Sequence, residues 1–379
     1  MKNIQKYIDD NRLAIRKYNE DDSYSIVCYT KDQFFNHEWD DITITHRGKI
    51  YKDEKPINHP FKKIFNLNEH ESTKFEYVKL LIQIEEFEVL DKVNGHLTIV
   101  SFDQDASKAL VSTKGSFHGE LADSDRQLLI EKGVIDKIEK YDLNFTFMFE
   151  CLADYDKHLW FEEARKQYNV SENTFILLGA ICNDTGASMD HTTVSMLAEL
   201  FEVPVVRRFK ELETEYLDID ELFKHKMTEG YVLHFKDINH RVKIKTQEYV
   251  TLHYMKEINS ERLVNALYNS GHENMYREFD EEIYPVLDAV MVDLEQFFYT
   301  HCCDAKKLID NRVSEWDKKT IATSTLLNDF ERSIAFGKTH IKLSKTVRRM
   351  FKEHGEFPKT DEAIRNFFDK KLYSNVVLV

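Results

Sequence analysis

The stretch EVLDKVNGHL, residues 88–97, decides how this sequence is interpreted. A run of apolar and acidic residues leads into Lys92, and Asn94 and Gly95 follow before a second apolar run begins. Asn-Gly is a common hairpin turn, and a lysine beside such a turn is usually solvated. On this stretch alone, the lysine is best explained as a solvated turn residue. A nucleophilic lysine needs more, because only the neutral amine attacks phosphorus and free lysine has a pKa of about 10.4.

Candidate partners for such a lysine stand on other predicted strands. Lys243 and Lys245 alternate with apolar residues, so both side chains extend from one face of a strand. Glu229 precedes a predicted strand, and Glu150 ends another. Each of these residues, taken singly, has a structural explanation: lysines protect an exposed edge strand, and a glutamate marks the solvated end of an apolar run.

The first two thirds of the chain are rich in predicted strands. Short β-branched or aromatic runs predict strands at 42–51, 75–84, 96–102, 144–150, 174–181, 230–235 and 241–246. Helical patterns lie between them at 123–141 and 190–203. After about residue 255, apolar residues recur every three or four positions, as in amphipathic helices. We therefore predict an α+β domain with antiparallel sheets over residues 1–255 and an all-α C-terminal domain over residues 256–379.

Composition excludes several classes of protein. No window approaches the ~18 consecutive apolar residues of a membrane span, and the N-terminus lacks the apolar segment of a signal peptide. Five cysteines without a CxxC spacing favour free thiols in a reducing cytoplasm. No coiled-coil pattern is present, so we expect a monomer.

Charge is distributed unevenly along the chain. The net charge is −15, of which residues 1–255 carry −13 and residues 256–379 carry −2. Any contact with nucleic acid must therefore come from local basic patches. From Arg332 to Lys352 there are seven Lys or Arg and no Asp or Glu. On a helix, one basic stripe would be formed by Lys338, Lys342, Lys345, Arg349 and Lys352. This stripe is explained equally by contact with a phosphate backbone and by a solvated helix face.

The order of the motifs is more specific than any one of them. Lys-x-Asn-Gly, Phe-Met-Phe-Glu, Glu-Gly-Tyr-Val and Val-Lys-Ile-Lys follow one another in this chain. The series resembles the ordered motifs of the covalent nucleotidyltransferases, which include DNA ligases, RNA ligases and mRNA capping enzymes. The flanking segments RGKIY, HPFKKIFNLNE and STKGSFHGE resemble the RNA ligase 1 family of T-even bacteriophages. This resemblance covers most of residues 25–255, while the helical tail matches only loosely.

The resemblance implies a fold and a reaction. An α+β adenylyltransferase domain is expected to precede a helical domain that recognises RNA, with cleaved tRNA as the natural partner. Lys92 would attack the α-phosphate of ATP, and AMP would then pass to the 5′-phosphate of RNA. A 3′-hydroxyl would finally attack the activated phosphate. Mg²⁺ or Mn²⁺ is the expected metal, and a phage-encoded protein would act in the host cytoplasm.

The resemblance also implies roles for single residues. Lys92, Lys243, Lys245 and Glu229 are the expected catalytic residues, with Glu229 also placing the metal. Nucleotide-binding residues implied by the family are Tyr29, Arg47, Lys63, Lys92, Asn94, Gly95, Lys114, Glu150, Glu229, Gly230, Val232, Lys243 and Lys245. Within this set, Lys243 and Lys245 would contact the α-phosphate. Tyr29, Arg47 and Lys63 would bind the triphosphate, with Lys114 nearby. Glu150 would hold the ribose hydroxyls, Gly230 would allow close approach of the backbone, and Val232 would cover adenine.

One residue departs from the family pattern, and three other functions are compatible with parts of the sequence. Asn94 stands where the phage enzyme carries Asp, which argues against a charged metal ligand at this position. A DNA ligase or a capping guanylyltransferase would share the central motif residues, although the Phe-Asn-Leu-Asn-Glu block argues against both. A non-enzymatic RNA-end sensor would be expected to lack the nucleophile or a motif lysine, and this chain lacks neither.

Overall fold

The computed structural model describes residues 4–155, 161–250 and 314–325 of the chain. The backbone divides into two units, residues 1–250 and 251–379. Within the described residues, no helix combines the length and apolar character needed to cross a membrane. The predicted all-α domain and its basic stripe, Lys338 to Lys352, lie almost wholly outside the described residues, so both stay predictions, as does the domain boundary at residue 255.

Helices and strands alternate along the first unit. The helices are α1 Gln5–Asp9, α2 Lys31–Asn36, α3 Asp41–Thr45, α4 Phe75–Ile84, α5 Glu120–Glu131, α6 Val134–Lys140, α7 Phe161–Gln167, α8 His191–Phe201, α9 Ile219–Lys224 and, in the second unit, α10 Lys318–Thr323. The strands are β1 Leu13–Tyr18, β2 Asp21–Tyr29, β3 Arg47–Lys52, β4 Lys55–Pro56, β5 Phe65–Asn66, β6 Phe87–Asp91, β7 His96–Asp103, β8 Lys108–Ser112, β9 Phe145–Leu152, β10 Thr174–Cys182, β11 Gly230–Phe235 and β12 His240–Lys245.

Three four-stranded sheets form the framework. Their strand orders are β1-β2-β3-β4, β10-β9-β7-β8 and β5-β12-β11-β6. Every pair is antiparallel except the two-residue pairing of β5 with β12. The prediction of an α+β domain with antiparallel sheets is thus confirmed for the first unit.

The middle sheet buries one face against helices. On β9, Phe147, Phe149 and Cys151 pack into a core with residues of α5, α6 and α8. Met148, between them, belongs to a separate cluster on the opposite face of the strand. The alternation follows from the two-residue period of a strand, which sends successive side chains to opposite faces. The helices therefore cover one face of this sheet.

The third sheet is covered on its outer face by α4 and α9. These helices pack against alternate residues of β6, β11 and β12, including Val89, Leu233 and Val242. A further apolar cluster joins Leu90 of β6 to Leu152 of β9. The inner face of the third sheet is thus directed toward the middle sheet. The face of β12 that carries Lys243 and Lys245 is opposite to the face that Val242 and Ile244 bury.

One predicted strand is a helix, and another, 42–51, is helical at its start and forms β3 from Arg47 onward. Residues 75–84 form α4, in which Val78, Leu81 and Ile82 face the core at helical spacing. Exposed apolar residues on the other side, such as Leu80 at 48% exposure, made the run look continuous and strand-like. Residues 42–45, predicted as the start of a strand, lie in α3. Asp40 begins this helix with a capping box, because its carboxylate accepts the Thr43 N–H while the Thr43 hydroxyl accepts the Asp40 N–H.

Phe201 offers a direct test of the core under the middle sheet. It is fully buried on α8, and its ring lies 5.1 Å from that of Phe147. We expect Phe201→Ala to lower the free energy of unfolding by about 3–5 kcal/mol, because a large cavity would remain. Met196→Ala, on the same helix at 66% exposure, should change it by no more than about 0.5 kcal/mol. Urea denaturation of both variants measures the difference, and equal losses would contradict this packing.

Candidate active site

Lys92 lies directly after β6, where its backbone and its side chain both contact the start of β11. Its N–H donates to the Gly230 carbonyl at 3.0 Å, and its Nζ forms an ion pair with the Glu229 carboxylate. The Glu229 side chain is only 4% exposed, and its Oε1 lies 3.3 Å from Nζ of Lys245. One buried carboxylate therefore holds two of the predicted catalytic lysines.

Gly230 makes this close approach possible. It pairs with Lys245 across β11 and β12. Its φ of +152° disfavours other residues, and a Cβ at this position would lie 2.0 Å from the Ile244 carbonyl oxygen. A side chain here would push the two strands apart. Glycine is thus needed to keep Glu229 within reach of Lys92 and Lys245.

Lys243 has a different carboxylate nearby. β5 pairs with β12 through Asn66 and Lys243, and Glu69 lies in the turn that follows β5. Glu69 accepts from the Asn66 N–H at 2.6 Å and from Nζ of Lys63 at 2.8 Å. Burial alone would raise the pKa of Glu69, but the charges of Lys63 and Lys243 and its hydrogen bonds hold it below the ordinary value. Glu69 therefore stays ionised between two lysines.

Lys63 is buried rather than open to a ligand. Its ammonium lies 4.9 to 5.5 Å from the ring centres of Phe34, Trp39 and Phe65. Tyr29 reaches the same group of rings, since its ring centre is 5.0 Å from that of Trp39. The structure thus brings two of the predicted triphosphate residues into one aromatic cluster, in which Lys63 is paired with Glu69.

The loop after Lys92 is packed tightly against β9. The Gly95 N–H donates to Oε1 of Glu150 at 3.1 Å. A Cβ on Gly95 would lie 2.3 Å from the Cys151 carbonyl oxygen. Asn94 is 5% exposed, and its Oδ1 accepts from the Tyr249 hydroxyl at 3.4 Å. Within the described part of the chain, nothing accepts a hydrogen bond from Nδ2 of Asn94.

Asp91 is a neighbour of Lys92 that sequence reasoning missed. Burial raises its pKa, and the charge of Glu229 adds to this effect, while the hydrogen bond from Tyr168 and the charges of Arg207 and Lys92 oppose it. The Tyr168 hydroxyl donates to Oδ2 of Asp91 at 2.8 Å. Because Tyr168 is 77 positions away in sequence, no local sequence pattern predicts this contact.

A second missed group supports the strand that follows the loop. The buried carboxylate of Asp125 accepts from the hydroxyls of Thr98 and Tyr155 at 2.6 and 2.8 Å and lies 3.0 Å from Nε2 of His96. Cys151 is near enough to complete a metal-ligand set with His96 and Asp125. However, burial raises the pKa of Cys151 to about 11, and the carboxylate already has three partners. We therefore assign this group to anchoring β7 beside Gly95.

Arg47 and Lys114 lie close to each other, on β3 and on the loop after β8. Gly48, with φ +89°, lets β3 approach β7 and the loop after β8 closely, since a Cβ there would lie 2.6 Å from Ile99 and 3.5 Å from Cα of Lys114. Both cations act on the Cys28 thiol, whose pKa burial raises and these charges lower. In the described ranges, no hydrogen bond or ion pair links either of them to Lys92.

Val232 occupies the middle of β11, opposite Leu90 and Lys243. It is half-buried and packs on the apolar cluster between the middle and third sheets. An apolar surface next to the lysines suits one face of a nucleotide base.

The oxygen donors near Lys92 limit how a divalent cation can bind there. Mg²⁺ prefers oxygen ligands and retains water and phosphate oxygens in its shell. Glu229 supplies a buried carboxylate, but Lys92 and Lys245 share its Oε1. Glu229 therefore fits the metal once the amine of Lys92 is neutral or has moved away. The amide of Asn94 supplies no charge.

The lysines and carboxylates around Lys92 suit phosphoryl transfer, because that reaction depends mainly on positioned cations that neutralise charge.

Among families of known proteins, a model described as RNA ligase matches residues 42–249, more than half of the 379 residues. The chain therefore belongs to the RNA ligase family. A comparison with curated protein sequences finds no match.

Several solved structures resemble the chain weakly. An archaeal ATP-dependent RNA ligase, form 2, is 12% identical with a TM-score of 0.46, over 72% of this chain and 66% of its own. A protein described as an ATP-dependent DNA ligase from Aquifex aeolicus is 14% identical with a TM-score of 0.45, over 76% of this chain and 79% of its own. A Naegleria gruberi RNA ligase mutant with ATP and Mn is 13% identical with a TM-score of 0.39, over 62% and 74%. This chain thus spans about two thirds of the archaeal ligase.

Gly95 provides a steric test of the site. We expect Gly95→Ala to reduce formation of a lysyl-nucleotide by at least about 100-fold, because its Cβ would collide with the Cys151 carbonyl and displace the loop. Lys79→Ala, at an exposed lysine on α4, is the control and should label normally. Labelling with ATP radioactive at the α-phosphate, followed by denaturing electrophoresis, measures the effect. Normal labelling of Gly95→Ala would contradict the packing of this loop.

Proposed function

We propose that this protein is an ATP-dependent RNA ligase. It joins a 5′-phosphate to a 3′-hydroxyl through a lysyl-AMP on Lys92 and an RNA-adenylate. The observation that carries the proposal is the contact of Lys92 with the carboxylate of Glu229, which Lys245 shares. Membership of the RNA ligase family supports the reaction class.

In the first step, Nζ of Lys92 attacks the α-phosphorus of ATP. An N–P bond forms, the bond from the α-phosphorus to the α,β-bridging oxygen breaks, and pyrophosphate leaves. The amine must first lose a proton, and Glu229 is the carboxylate in contact with it. We propose that Glu229 stabilises the ammonium before ATP binds and receives or relays its proton when the amine attacks.

In the second step, an oxygen of the RNA 5′-phosphate attacks the phosphorus of lysyl-AMP and the N–P bond breaks. In the third step, the 3′-hydroxyl attacks the 5′-phosphate of RNA-adenylate and AMP leaves. All three steps transfer a phosphoryl group, so one set of cations serves each of them. Lys243 and Lys245, on one face of β12, are proposed to contact the α-phosphate.

Other residues position the nucleotide. Glu150, tied to the Gly95 N–H, is proposed to hold the ribose, and Val232 to cover adenine. Arg47, Lys114 and Tyr29 are proposed to bind the phosphates beyond the α-position. A divalent cation held by Glu229 and phosphate oxygens would neutralise charge that develops on the triphosphate.

For Lys63 we propose a role other than the direct triphosphate contact expected from sequence. Its ammonium is enclosed by aromatic rings and bonded to Glu69. Glu69 in turn acts electrostatically on Lys243. We propose that Lys63 keeps Glu69 ionised and in place, and that Glu69 positions Lys243.

The proposed RNA is cleaved tRNA, as the resemblance to the phage family implies. Recognition of this RNA is assigned to the C-terminal segment, which carries the basic stripe of Lys338, Lys342, Lys345, Arg349 and Lys352. A monomer in the host cytoplasm is the corresponding expectation.

Lys92→Ala and Lys92→Arg test the nucleophile. Both variants should lose self-labelling by ATP and circularisation of a 5′-phosphorylated single-stranded RNA by at least about 1000-fold, because no other group forms the intermediate. Lys79→Ala, an exposed lysine on α4, should behave as the unchanged protein. Labelling by GTP and not ATP would indicate a capping enzyme. Joining of nicked DNA but not of RNA would indicate a DNA ligase. Full activity of Lys92→Ala would refute the mechanism.

The basic stripe is tested by reversing three of its charges. We expect Lys342→Glu, Lys345→Glu and Arg349→Glu together to weaken joining of nicked tRNA by at least about tenfold, because each lost phosphate contact lowers affinity. Self-adenylylation should stay within about twofold, since that step needs no RNA. Joining rates as a function of salt concentration supply the measurement. Equal loss of both activities would show that the stripe is structural.

A further inference from the structure

Three cations surround the Cys28 thiol, and only two of them belong to the expected site. The charges of Lys114, Arg47 and Arg16 all act on this thiol, opposing the rise in its pKa that burial causes. Cys28 is itself 8% exposed. Side chains from β1, β3 and the loop after β8 therefore come together near the Cys28 thiol.

The backbone explains this convergence. On β1, Arg16 pairs with Ile26 while Ala14 pairs with Cys28, so Arg16 and Cys28 share one face of the sheet. Cys28 in turn pairs with Arg47 of β3. Nη1 of Arg16 then donates to the Gly115 carbonyl at 3.0 Å, next to Lys114. Arg16 is therefore tied to the same loop that presents Lys114.

None of the three cations has a carboxylate partner in the described residues. The ion pairs of residues 4–155, 161–250 and 314–325 include neither Arg16, Arg47 nor Lys114. The chain has 67 acidic residues and a net charge of −15, so the absence of any acidic partner around three neighbouring cations is unexpected. Like charges this close repel each other unless an anion lies between them.

We propose that Arg16 is a third ligand for the pyrophosphate portion of ATP, together with Arg47 and Lys114. A guanidinium suits two oxygens of one phosphate group, and two guanidinium groups with one ammonium suit the charge of a diphosphate. The inference rests on the proposed function, because it extends the nucleotide site to a residue of β1. Arg16 binds the phosphates that leave and takes no part in joining RNA-adenylate to a 3′-hydroxyl.

The sharpest probe is inorganic pyrophosphate, which reverses the first step. Enzyme carrying labelled AMP on Lys92 is mixed with increasing pyrophosphate, and release of labelled ATP is followed. Arg16→Ala should raise the pyrophosphate concentration for half-maximal release roughly 5- to 30-fold, as expected for loss of one exposed charge-assisted contact. Joining of chemically pre-adenylylated RNA should stay within about twofold, since pyrophosphate has already left.

Two further substitutions separate the effect of the Arg16 charge from that of its hydrogen bond to the Gly115 carbonyl. Arg16→Lys keeps the charge and should recover part of the affinity. Arg16→Gln keeps a hydrogen-bond donor but no charge, and it should resemble Arg16→Ala. Lys17→Ala is the matched control, because Lys17 is the next residue of β1, is exposed, and donates to the Asp22 carbonyl. Normal pyrophosphate affinity in Arg16→Ala, or full recovery in Arg16→Gln, would overturn the proposal.

A binding measurement separates this inference from the proposed function. In Lys92→Ala, which cannot form lysyl-AMP, pyrophosphate should still raise the melting temperature, since any ligand of the folded state stabilises it. Adding Arg16→Ala should reduce this rise, while adding Lys17→Ala should leave it unchanged. If the protein never labels itself with ATP, the ligase proposal fails, but this thermal shift still decides the role of Arg16. A shift that is equal in all three proteins would refute it.

Discussion

One buried carboxylate shared by two ammonium groups is the interaction around which the site is organised. Glu229 contacts Lys92 and Lys245 at once. Removing either charge from water is costly unless an opposite charge lies in contact, and a single glutamate meets this need for both lysines. It also joins the end of β6 to the start of β11 and the end of β12. The contact therefore brings three of the predicted catalytic residues together at one place in the fold.

The cations of the first unit fall into two kinds. Lys245 contacts Glu229, and the charge of Lys243 acts on Glu69, so both lysines of β12 stand beside carboxylates. Arg47 and Lys114 have no such carboxylate among the described residues. Balanced cations keep their positions whether or not a substrate is bound. Cations without a carboxylate partner are stabilised most when an anionic substrate binds. The difference therefore fits the proposed reaction, in which AMP stays on Lys92 and pyrophosphate leaves.

Composition was enough to predict most strands of the second and third sheets. β7, β9, β10, β11 and β12 were predicted because each is a short run rich in β-branched or aromatic residues. Helix α4 was missed because its exposed side also carries apolar residues, so its three- and four-residue spacing was hidden. Helix α3 was missed because a capping box, not an apolar pattern, begins it.

The candidate site shows the same division. Lys92, Glu229, Lys243 and Lys245 were identified through the order of their motifs, and three of them are in direct contact. Asp91, Glu69 and Asp125 were not identified, since each owes its importance to partners far away in sequence. Tyr168 donates to Asp91 across 77 positions, and Lys243 acts on Glu69 across a parallel pairing of only two residues. Short-range patterns carry no information about such contacts.

The neutral amide of Asn94 follows from the crowding of carboxylates beside Lys92. Glu229 is buried in contact with the lysine. Burial raises the pKa of Asp91, the residue before the lysine, and the charge of Glu229 adds to this rise. Another ionised side chain at position 94, which is 5% exposed, would add a negative charge that Lys92 and Lys245 have little capacity left to balance. An amide keeps an oxygen that accepts from Tyr249 without adding this charge. We therefore infer that metal placement depends on Glu229 and the phosphates of the substrate, while Asn94 holds the loop.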